Sequence, residues 1–194
     1  LSSLNLEKYD EWKDDKNIIN DVMKFLDNVL SDFINRAPDQ FADAKYSAEK
    51  ERSVGLGVMG FHSYLQKNNI PLESVMSKVW NKKIFKHIQE QVDQSSKDLA
   101  DERGACPDAA DYGFKERFSN KTAIAPTASI SVICGGASPG VEPVAANSYT
   151  HKTLSGSFNV RNRYLQNLLE KYEKNTDEVW STITTNEGSV SHLE

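Results

Sequence analysis

Cysteine is scarce in this sequence, which has only Cys106 and Cys134 among its 194 residues. The two do not form a C-x-x-C motif, and the four histidines are scattered without a convincing partner at helical spacing. We therefore predict no metal site. Both cysteines are expected to be small buried hydrophobic residues in a reducing compartment.

Long apolar runs and blocks of one charge are also absent. No apolar segment approaches the roughly 20 residues that a membrane-spanning helix needs, and the N-terminus lacks the basic and apolar regions of a secretory signal. The net charge is −5, and lysine and arginine form no block that would attract a nucleic acid polymer. We expect a cytoplasmic chain with neither a membrane nor a nucleic acid polymer as a partner.

A length of 194 residues suits one ordinary domain or a piece of a larger one. Hydrophobic residues make up 38% and charged residues 26%, which is slightly polar for a self-contained domain. The sequence also lacks an initiator methionine and a closing element at its end. We expect residues 1–194 to be a single partial domain whose apolar faces need a partner.

Apolar residues at spacings of three and four predict two long amphipathic helices. The first begins after two acidic residues and ends at Arg36, before Pro38. The second covers Val75–Glu102 and is followed by glycine and proline stop signals. The polar segments 37–52 and 109–120 are expected to be connections.

The last third of the chain predicts a mixture of strand and helix. Residues Tyr149–Phe158 alternate loosely around a Ser-Gly pair, which indicates a β-hairpin or a strand with a turn. Asn159 is expected to cap a helix that continues to Tyr172. One further helical turn is expected over Asp177–Ser181.

Gly55, Gly57 and Gly60 have G-x-G-x-x-G spacing. This spacing is typical of a dinucleotide-binding turn when a strand precedes it and a helix follows it. The polar segment before Gly55 contains no such strand, so we favour glycines that let two backbone segments approach closely. A turn that binds an NAD-like nucleotide is the alternative.

The most informative stretch is Lys121–Val144, which reads KTAIAPTASISVICGGASPGVEPV. A short apolar run ends at Pro126, and hydroxyl residues follow at Thr127, Ser129 and Ser131. This order predicts a strand, a proline turn and the start of a helix. Backbone amides at a helix start suit phosphate oxygens, as do neighbouring hydroxyls. The same pattern also suits an ordinary helix cap without a ligand.

Glycines and prolines after this stretch predict a turn-rich segment that ends with Val-Glu-Pro. Glu142 in this segment could act as a general base or pair with a buried donor. The pairing is the favoured interpretation, because structural ion pairs also place acids in clefts.

Several segments occur in a characteristic order: LSSLNLE, RSVGLGVMGF, GACP, APTASIS with GVEP, and NTDEVWSTITTNEGSV. Each alone is weakly specific, whereas the order covers most of the chain and is a specific signal. Together they resemble the large (alpha) subunit of class I ribonucleotide reductase. The resemblance implies an α/β fold that is part of a ten-stranded α/β barrel with outer helices, here incomplete.

The resemblance also implies that the loop cradles the diphosphate of a ribonucleotide substrate. Thr127 and Ser129 would donate hydroxyl hydrogen bonds, while Ala128 and Ile130 would offer backbone amides. The implied substrate-binding residues are Pro126, Thr127, Ala128, Ser129, Ile130 and Ser131.

The family reduces ribonucleotides to deoxyribonucleotides with groups that this chain does not contain. A cysteine thiyl radical abstracts the 3′ hydrogen, and the Asn-x-Cys-x-Glu motif that carries this cysteine would precede Leu1. The radical-relay tyrosines and a terminal cysteine pair would follow Glu194. The resemblance therefore implies no catalytic residue in this chain, which is expected to be inactive without the remaining large-subunit segment.

Further partners follow from the resemblance: a ribonucleoside diphosphate substrate, a small (beta) subunit that generates the radical at a dimetal centre, and a second copy of the whole large subunit in a homodimer. No cofactor is expected on this chain, and ATP and deoxynucleotide effectors would bind elsewhere. Two alternatives are a stand-alone nucleotide-binding module, which would use Gly55–Gly60 or Thr127–Ser131, and a scaffold piece without a ligand.

Overall fold

The computed structural model describes residues 1–153 and 156–193. The strands are β1 (Ser2–Asn5), β2 (Leu56–Met59), β3 (Ser148–Thr153) and β4 (Gly156–Arg161). The α-helices are α1 (Tyr9–Trp12), α2 (Ile18–Arg36), α3 (Ala42–Glu51), α4 (Phe61–Lys67), α5 (Val75–Arg103), α6 (Pro107–Asp111), α7 (Ala128–Ile133), α8 (Arg163–Lys171) and α9 (Asp177–Thr185). Short 3-10 helices at Leu6–Lys8 and Asp39–Phe41 precede α1 and α3.

Two separate strand pairs form the sheets of the described chain. β1 and β2 are parallel, with Ser2 opposite Leu56, and Thr122 forms a further parallel bridge with Leu56. β3 and β4 are antiparallel. In residues 1–153 and 156–193 the strands do not close a barrel. Parallel strands with helices agree with the predicted α/β class, and the strand number of the full barrel stays a prediction.

The main core lies where α2 and α5 pack against the parallel strand pair. All four residues of β2 are buried, and α2 contributes Ile19, Met23 and Leu26. The apolar residues that α5 buries are Ile84, Ile88, Val92, Leu99 and Ala100. Both long helices that the apolar spacing predicts are therefore confirmed. Neither they nor any other helix of the described residues is long and apolar enough to cross a membrane.

The predicted hairpin over Tyr149–Phe158 is confirmed as β3 and β4, and the turn between them lies outside the described residues. The prediction that Asn159 caps a helix is wrong, because Asn159 lies within β4. Asn162 is the cap of α8, since its side-chain oxygen accepts from the amide of Tyr164. The predicted helical turn after it is the longer helix α9.

The polar segment 37–52 is not a plain connection, because most of it forms α3. This helix buries none of its residues, so the sequence carries no apolar stripe that would indicate it. The predicted loop 109–120 likewise begins inside α6, which Pro107 starts as a first-turn residue. Of the two cysteines, Cys106 is buried as predicted, whereas Cys134 is exposed and that prediction is wrong.

A buried ion cluster ties α2 to three other parts of the chain. Asp27 of α2 is fully buried. It accepts hydrogen bonds from Arg52 at 2.6 Å, from Arg103 at 2.9 Å and from Arg117 at 2.9 Å. Burial by itself would raise the pKa of Asp27, but the donors of Arg117, Arg52 and Arg103 outweigh it, so the net effect is a lowered pKa.

Replacing Asp27 with Asn should lower the free energy of unfolding by about 3–5 kcal/mol, because it leaves three guanidinium groups without their shared carboxylate. Urea unfolding monitored by circular dichroism measures this change. Asp32→Asn is the matched control on the same helix. Asp32 pairs with Arg36 at the surface, so its loss should cost less than about 1 kcal/mol.

The pH dependence of unfolding gives an independent measurement of the same cluster. Because the pKa of Asp27 is lowered on folding, its contribution is complete above the unfolded carboxyl pKa of about 4. It is lost as the pH falls below that value, through the lower pKa of the folded state. The Asp27→Asn variant should therefore lose less stability on acidification than the parent chain, and an equal loss would contradict the assignment.

Candidate functional site

The chain runs beside β2 at residues 121–124, passes Pro126 and Thr127, and then forms the short helix α7. Leu56 donates its amide to the Lys121 carbonyl at 3.0 Å, and Ala123 donates to the Leu56 carbonyl at 3.2 Å. The predicted strand is therefore an extended segment with an isolated bridge. The predicted helix start is confirmed as α7, whereas the segment at Pro126 has no assigned turn and the chain changes direction through the left-handed Thr127.

The six predicted binding residues differ in their exposure. Ser131 is buried, and its hydroxyl donates to the Ala128 carbonyl at 3.3 Å. Thr127 is half-buried. The residues that face solvent are Pro126, Ala128, Ser129 and Ile130. Among the three hydroxyl residues of the loop, only Ser129 is exposed, and Ser131 is buried away from any ligand on this surface.

Thr127 occupies the N-cap position of α7 but does not act as a cap. Its φ of 52° lies in the left-handed region, which is unusual for a β-branched residue. Its side-chain oxygen accepts from the Gly140 amide at 2.8 Å and bonds to no amide of the helix. The ordinary-cap alternative is therefore wrong for Thr127. The Thr127 hydroxyl oxygen links the residue before α7 to Gly140 beyond it. The hydroxyl hydrogen remains available for donation.

The first turn of α7 offers unpaired backbone amides. The Ser131 amide donates to the Thr127 carbonyl at 2.9 Å. Within the described chain, no acceptor pairs with the amides of Ala128, Ser129 and Ile130. Because α7 has only six residues, its dipole is weak, and these amides contribute more to an anion site than the field of the helix.

Two cations near the loop are already paired with acids. Lys121 lies 2.6 Å from Asp93 and 3.3 Å from Glu116. Burial would lower the pKa of Lys121, but the two acids outweigh it and raise the pKa. Arg163 donates to Glu7 at 2.5 Å. The donors that the loop itself presents are neutral amides and hydroxyls.

Helix α4 holds the segment that returns from α7. Gly60 donates its amide to the Ser138 carbonyl at 2.7 Å. Ser63 and Ser138 bond reciprocally, each amide donating to the other's hydroxyl oxygen at 3.1 and 2.9 Å. His62 accepts the Val144 amide on Nδ1 at 3.3 Å. Burial lowers the pKa of His62, which favours the neutral ring that this contact needs.

Sequence reasoning missed these supporting residues. Ser63 and Ser138 lie 75 positions apart, and no local pattern relates two such serines. The available signal was the glycine-rich segment before α4, because glycines there indicate that another backbone segment lies close.

The glycines pack backbone segments together, as the sequence prediction favoured. A Cβ on Gly57 would overlap the Ala123 carbonyl oxygen, and one on Gly55 would lie 2.9 Å from the Ala123 Cβ. A strand and a helix do flank Gly60, but Ser138 accepts the amide of Gly60 and also that of Ser63. The place where a dinucleotide pyrophosphate would bind is therefore filled by the protein's own chain.

Glu142 is exposed, and no ion pair reaches it within the described chain. The favoured interpretation of a structural pair with a buried donor is therefore wrong. Its carboxylate lies over Gly140, where a Cβ would contact it. A role as general base stays a prediction.

Two open grooves lie apart from the loop. One, of about 750 Å³ between α4 and α8, includes Lys67, Tyr164 and Tyr172. Another, of about 500 Å³ beneath α2, includes Leu1 and Phe33. In the residues that the structure describes, no group of three or more His, Cys, Asp or Glu side chains is placed to hold a metal ion.

Comparison with known proteins gives consistent matches over the chain. A family model described as the ribonucleotide reductase barrel domain matches residues 1–116 and 108–194. The chain is 49% identical over its whole length to the ribonucleoside-diphosphate reductase large subunit of Invertebrate iridescent virus 6, of which it covers 20%. It is 34% identical, over 80% of its length, to the vitamin B12-dependent ribonucleoside-diphosphate reductase of Thermoplasma acidophilum, of which it covers 21%.

A solved structure matches both the fold and the sequence. The alpha subunit of the class Id ribonucleotide reductase of Actinobacillus ureae aligns with a TM-score of 0.88 and 39% identity, over 99% of this chain and 35% of that chain. The present chain thus spans between a fifth and about a third of the length of these relatives.

The close approach at Gly57 can be tested by adding one methyl group. Gly57→Ala should lower the free energy of unfolding by about 1–3 kcal/mol, because the new Cβ overlaps backbone that cannot move freely. Gly113→Ala is the control, since Gly113 has a φ of +76° but no atom within 4 Å of its Cβ position. Gly113→Ala reports only the cost of a left-handed alanine, about 1–2 kcal/mol, whereas Gly57 has no left-handed φ and its variant reports only the close contact. Wild-type stability in the Gly57→Ala variant would contradict the packing described here.

Proposed function

From the premise that this chain belongs to the ribonucleotide reductase barrel-domain family, we propose that it forms part of the catalytic barrel of a ribonucleoside-diphosphate reductase. Its contribution is the loop Pro126–Ser131, which binds the diphosphate of the ribonucleotide substrate. The observation that carries this proposal is the exposed first turn of α7, where three backbone amides that have no acceptor among the described residues lie beside the exposed Ser129.

The geometry favours unequal roles for the loop residues. Ser129 donates its exposed hydroxyl, and Ala128 and Ile130 contribute amides, as the resemblance implies. Thr127 serves chiefly to hold the loop, because its oxygen already accepts the Gly140 amide, although its proton can still reach a phosphate oxygen. Ser131 supports the turn from inside and makes no direct contact with the ligand, since it is buried.

The remainder of the reductase completes the site. We propose that the segment carrying the thiyl cysteine, contributed by the rest of the large subunit, closes a ten-stranded barrel with outer helices in which this chain supplies one part. The exposed apolar side of α2, with Phe25 at 63% and Val29 at 52% exposure, and the groove beside Leu1 support such a missing neighbour.

The whole-protein partners belong to the same proposal. A homodimer of the large subunit and a separate small subunit with a dimetal centre accompany the class I resemblance, with ATP and deoxynucleotide effectors bound outside this chain in the cytoplasm. This chain is also similar to a B12-dependent reductase. A barrel segment of this sequence type is therefore compatible with more than one radical source. The proposal of a small subunit as a partner therefore rests on the class I resemblance alone.

Titration of the purified chain tests the proposal. Amide chemical shifts of residues 127–131 should move on addition of a ribonucleoside diphosphate, and NAD at equal concentration should leave Gly55–Gly60 unaffected. Ser129→Ala should weaken diphosphate binding by roughly 10- to 150-fold, because a hydrogen bond to a charged group contributes about 1.5–3 kcal/mol. Ser181→Ala, an exposed serine on α9, should bind as the parent does.

Two outcomes would contradict the proposal. Shifts at the glycines with NAD and none at the loop with diphosphate would favour the stand-alone nucleotide module. Equal weakening by Ser129→Ala and Ser181→Ala would show that diphosphate contacts do not depend on this loop.

A further inference from the structure

We propose that Ser63 and Ser138 are positioning residues that fix the conformation of the diphosphate loop from behind. Their effect on ligand binding rests on the proposed function, whereas their effect on loop conformation does not. Neither serine lies on the exposed face of the loop, since 2% of Ser63 and none of Ser138 is accessible.

The two serines form a closed pair between α4 and the segment that follows α7. The Ser138 amide donates to the Ser63 hydroxyl oxygen at 2.9 Å, and the Ser63 amide donates to the Ser138 hydroxyl oxygen at 3.1 Å. The Gly60 amide adds a third bond, to the Ser138 carbonyl at 2.7 Å. Three polar groups of one residue are thus held by the start of a single helix, whose first amides need such acceptors.

This pair acts on the loop through Gly140, which lies two residues beyond Ser138. The Gly140 amide donates to the Thr127 side-chain oxygen at 2.8 Å. Thr127 immediately precedes α7 at the N-cap position, and it has a left-handed φ of 52°. A β-branched residue adopts this conformation only where surrounding contacts impose it. The bond from Gly140 is such a contact, and Ser138 determines where Gly140 lies.

The connection therefore runs from α4 to the unpaired amides in three steps. Ser63 fixes Ser138, Ser138 places Gly140, and Gly140 holds Thr127 at the base of the turn. If Ser138 shifts, Thr127 loses its partner and can return to an ordinary backbone conformation, which would rotate the amides of residues 128–130 away from a common direction. Ser63 and Ser138 thus govern the geometry of a site that they do not touch.

Amide hydrogen exchange of the full 194-residue chain without ligand is the first measurement. Ser138→Ala and Ser63→Ala should each speed exchange at Gly140 and change the exchange rates of residues 128–130. Ser95→Ala is the matched control. Ser95 is also a buried serine, with 2% of its surface exposed, and it donates to Asn20 at 2.8 Å in the α2–α5 core. It should leave exchange in the loop unchanged.

Binding of inorganic pyrophosphate is the second measurement. Ser138→Ala should raise its dissociation constant by roughly 2- to 12-fold, the equivalent of one neutral hydrogen bond, whereas Ser95→Ala should not. Thr127→Val, which removes the acceptor for Gly140, should reproduce the faster exchange of Ser138→Ala, and exchange is its readout because the variant also removes a hydroxyl donor. Thr127→Ser retains the acceptor and should restore slow exchange at Gly140, a rescue that general destabilisation would not give.

The outcomes separate this inference from the proposed function. Unchanged loop exchange in both Ser138→Ala and Ser63→Ala would overturn the inference even if pyrophosphate binds. If the parent chain binds no pyrophosphate, the proposed function fails, while faster exchange at Gly140 in the serine variants alone would still support the positioning role. Equal effects of Ser95→Ala and Ser138→Ala on the loop would also overturn it.

Discussion

The close approach of segment 121–124 to β2 is the constraint on which the candidate site depends. Gly57 has no Cβ where the Ala123 carbonyl oxygen lies, and Leu56 can therefore exchange hydrogen bonds with residues on both sides of Thr122. Since the segment is extended and Pro126 follows almost at once, the start of α7 has little freedom to slide along the sheet. The backbone contact between residues 121–123 and Leu56 thus sets the position of the loop amides.

Helix α2 has one well-packed side and one apolar side that the described chain leaves uncovered. Its inner side buries Ile19 and Met23 and places Asp27 among three arginines. Its outer side leaves Phe25 and Val29 more than half exposed. A chain that spans a fifth to a third of its relatives' length is expected to carry such a surface, because apolar side chains that contact a neighbour in the larger protein are uncovered in the piece.

Local patterns predicted the elements that depend on local physics. α2 and α5 have continuous apolar stripes, and the helix start after Pro126 follows from the proline and the hydroxyl residues behind it. α3 was missed because it buries nothing. The cap of α8 was misplaced because Asn159 and Asn162 are equally suitable by type. Asn159 is excluded by its pairing with Thr150 in the hairpin, which the local sequence does not reveal. The Ser63–Ser138 and Thr127–Gly140 bonds were beyond sequence reasoning for the same reason.

A diphosphate bound at this loop would meet neutral donors, since Lys121 and Arg163 are already paired with acids. Hydrogen bonds to a charged group contribute about 1.5–3 kcal/mol each, so three amides and the Ser129 hydroxyl together provide an energy similar to the roughly 4–15 kcal/mol that association costs. The loop alone would therefore bind weakly. Under the proposed function, its geometry would suit orientation of the diphosphate end, and most of the affinity would come from contacts between the rest of the nucleotide and other parts of a large subunit. A loop with this task gains more from a fixed shape than from added charge, which is consistent with its support from buried hydrogen bonds behind it.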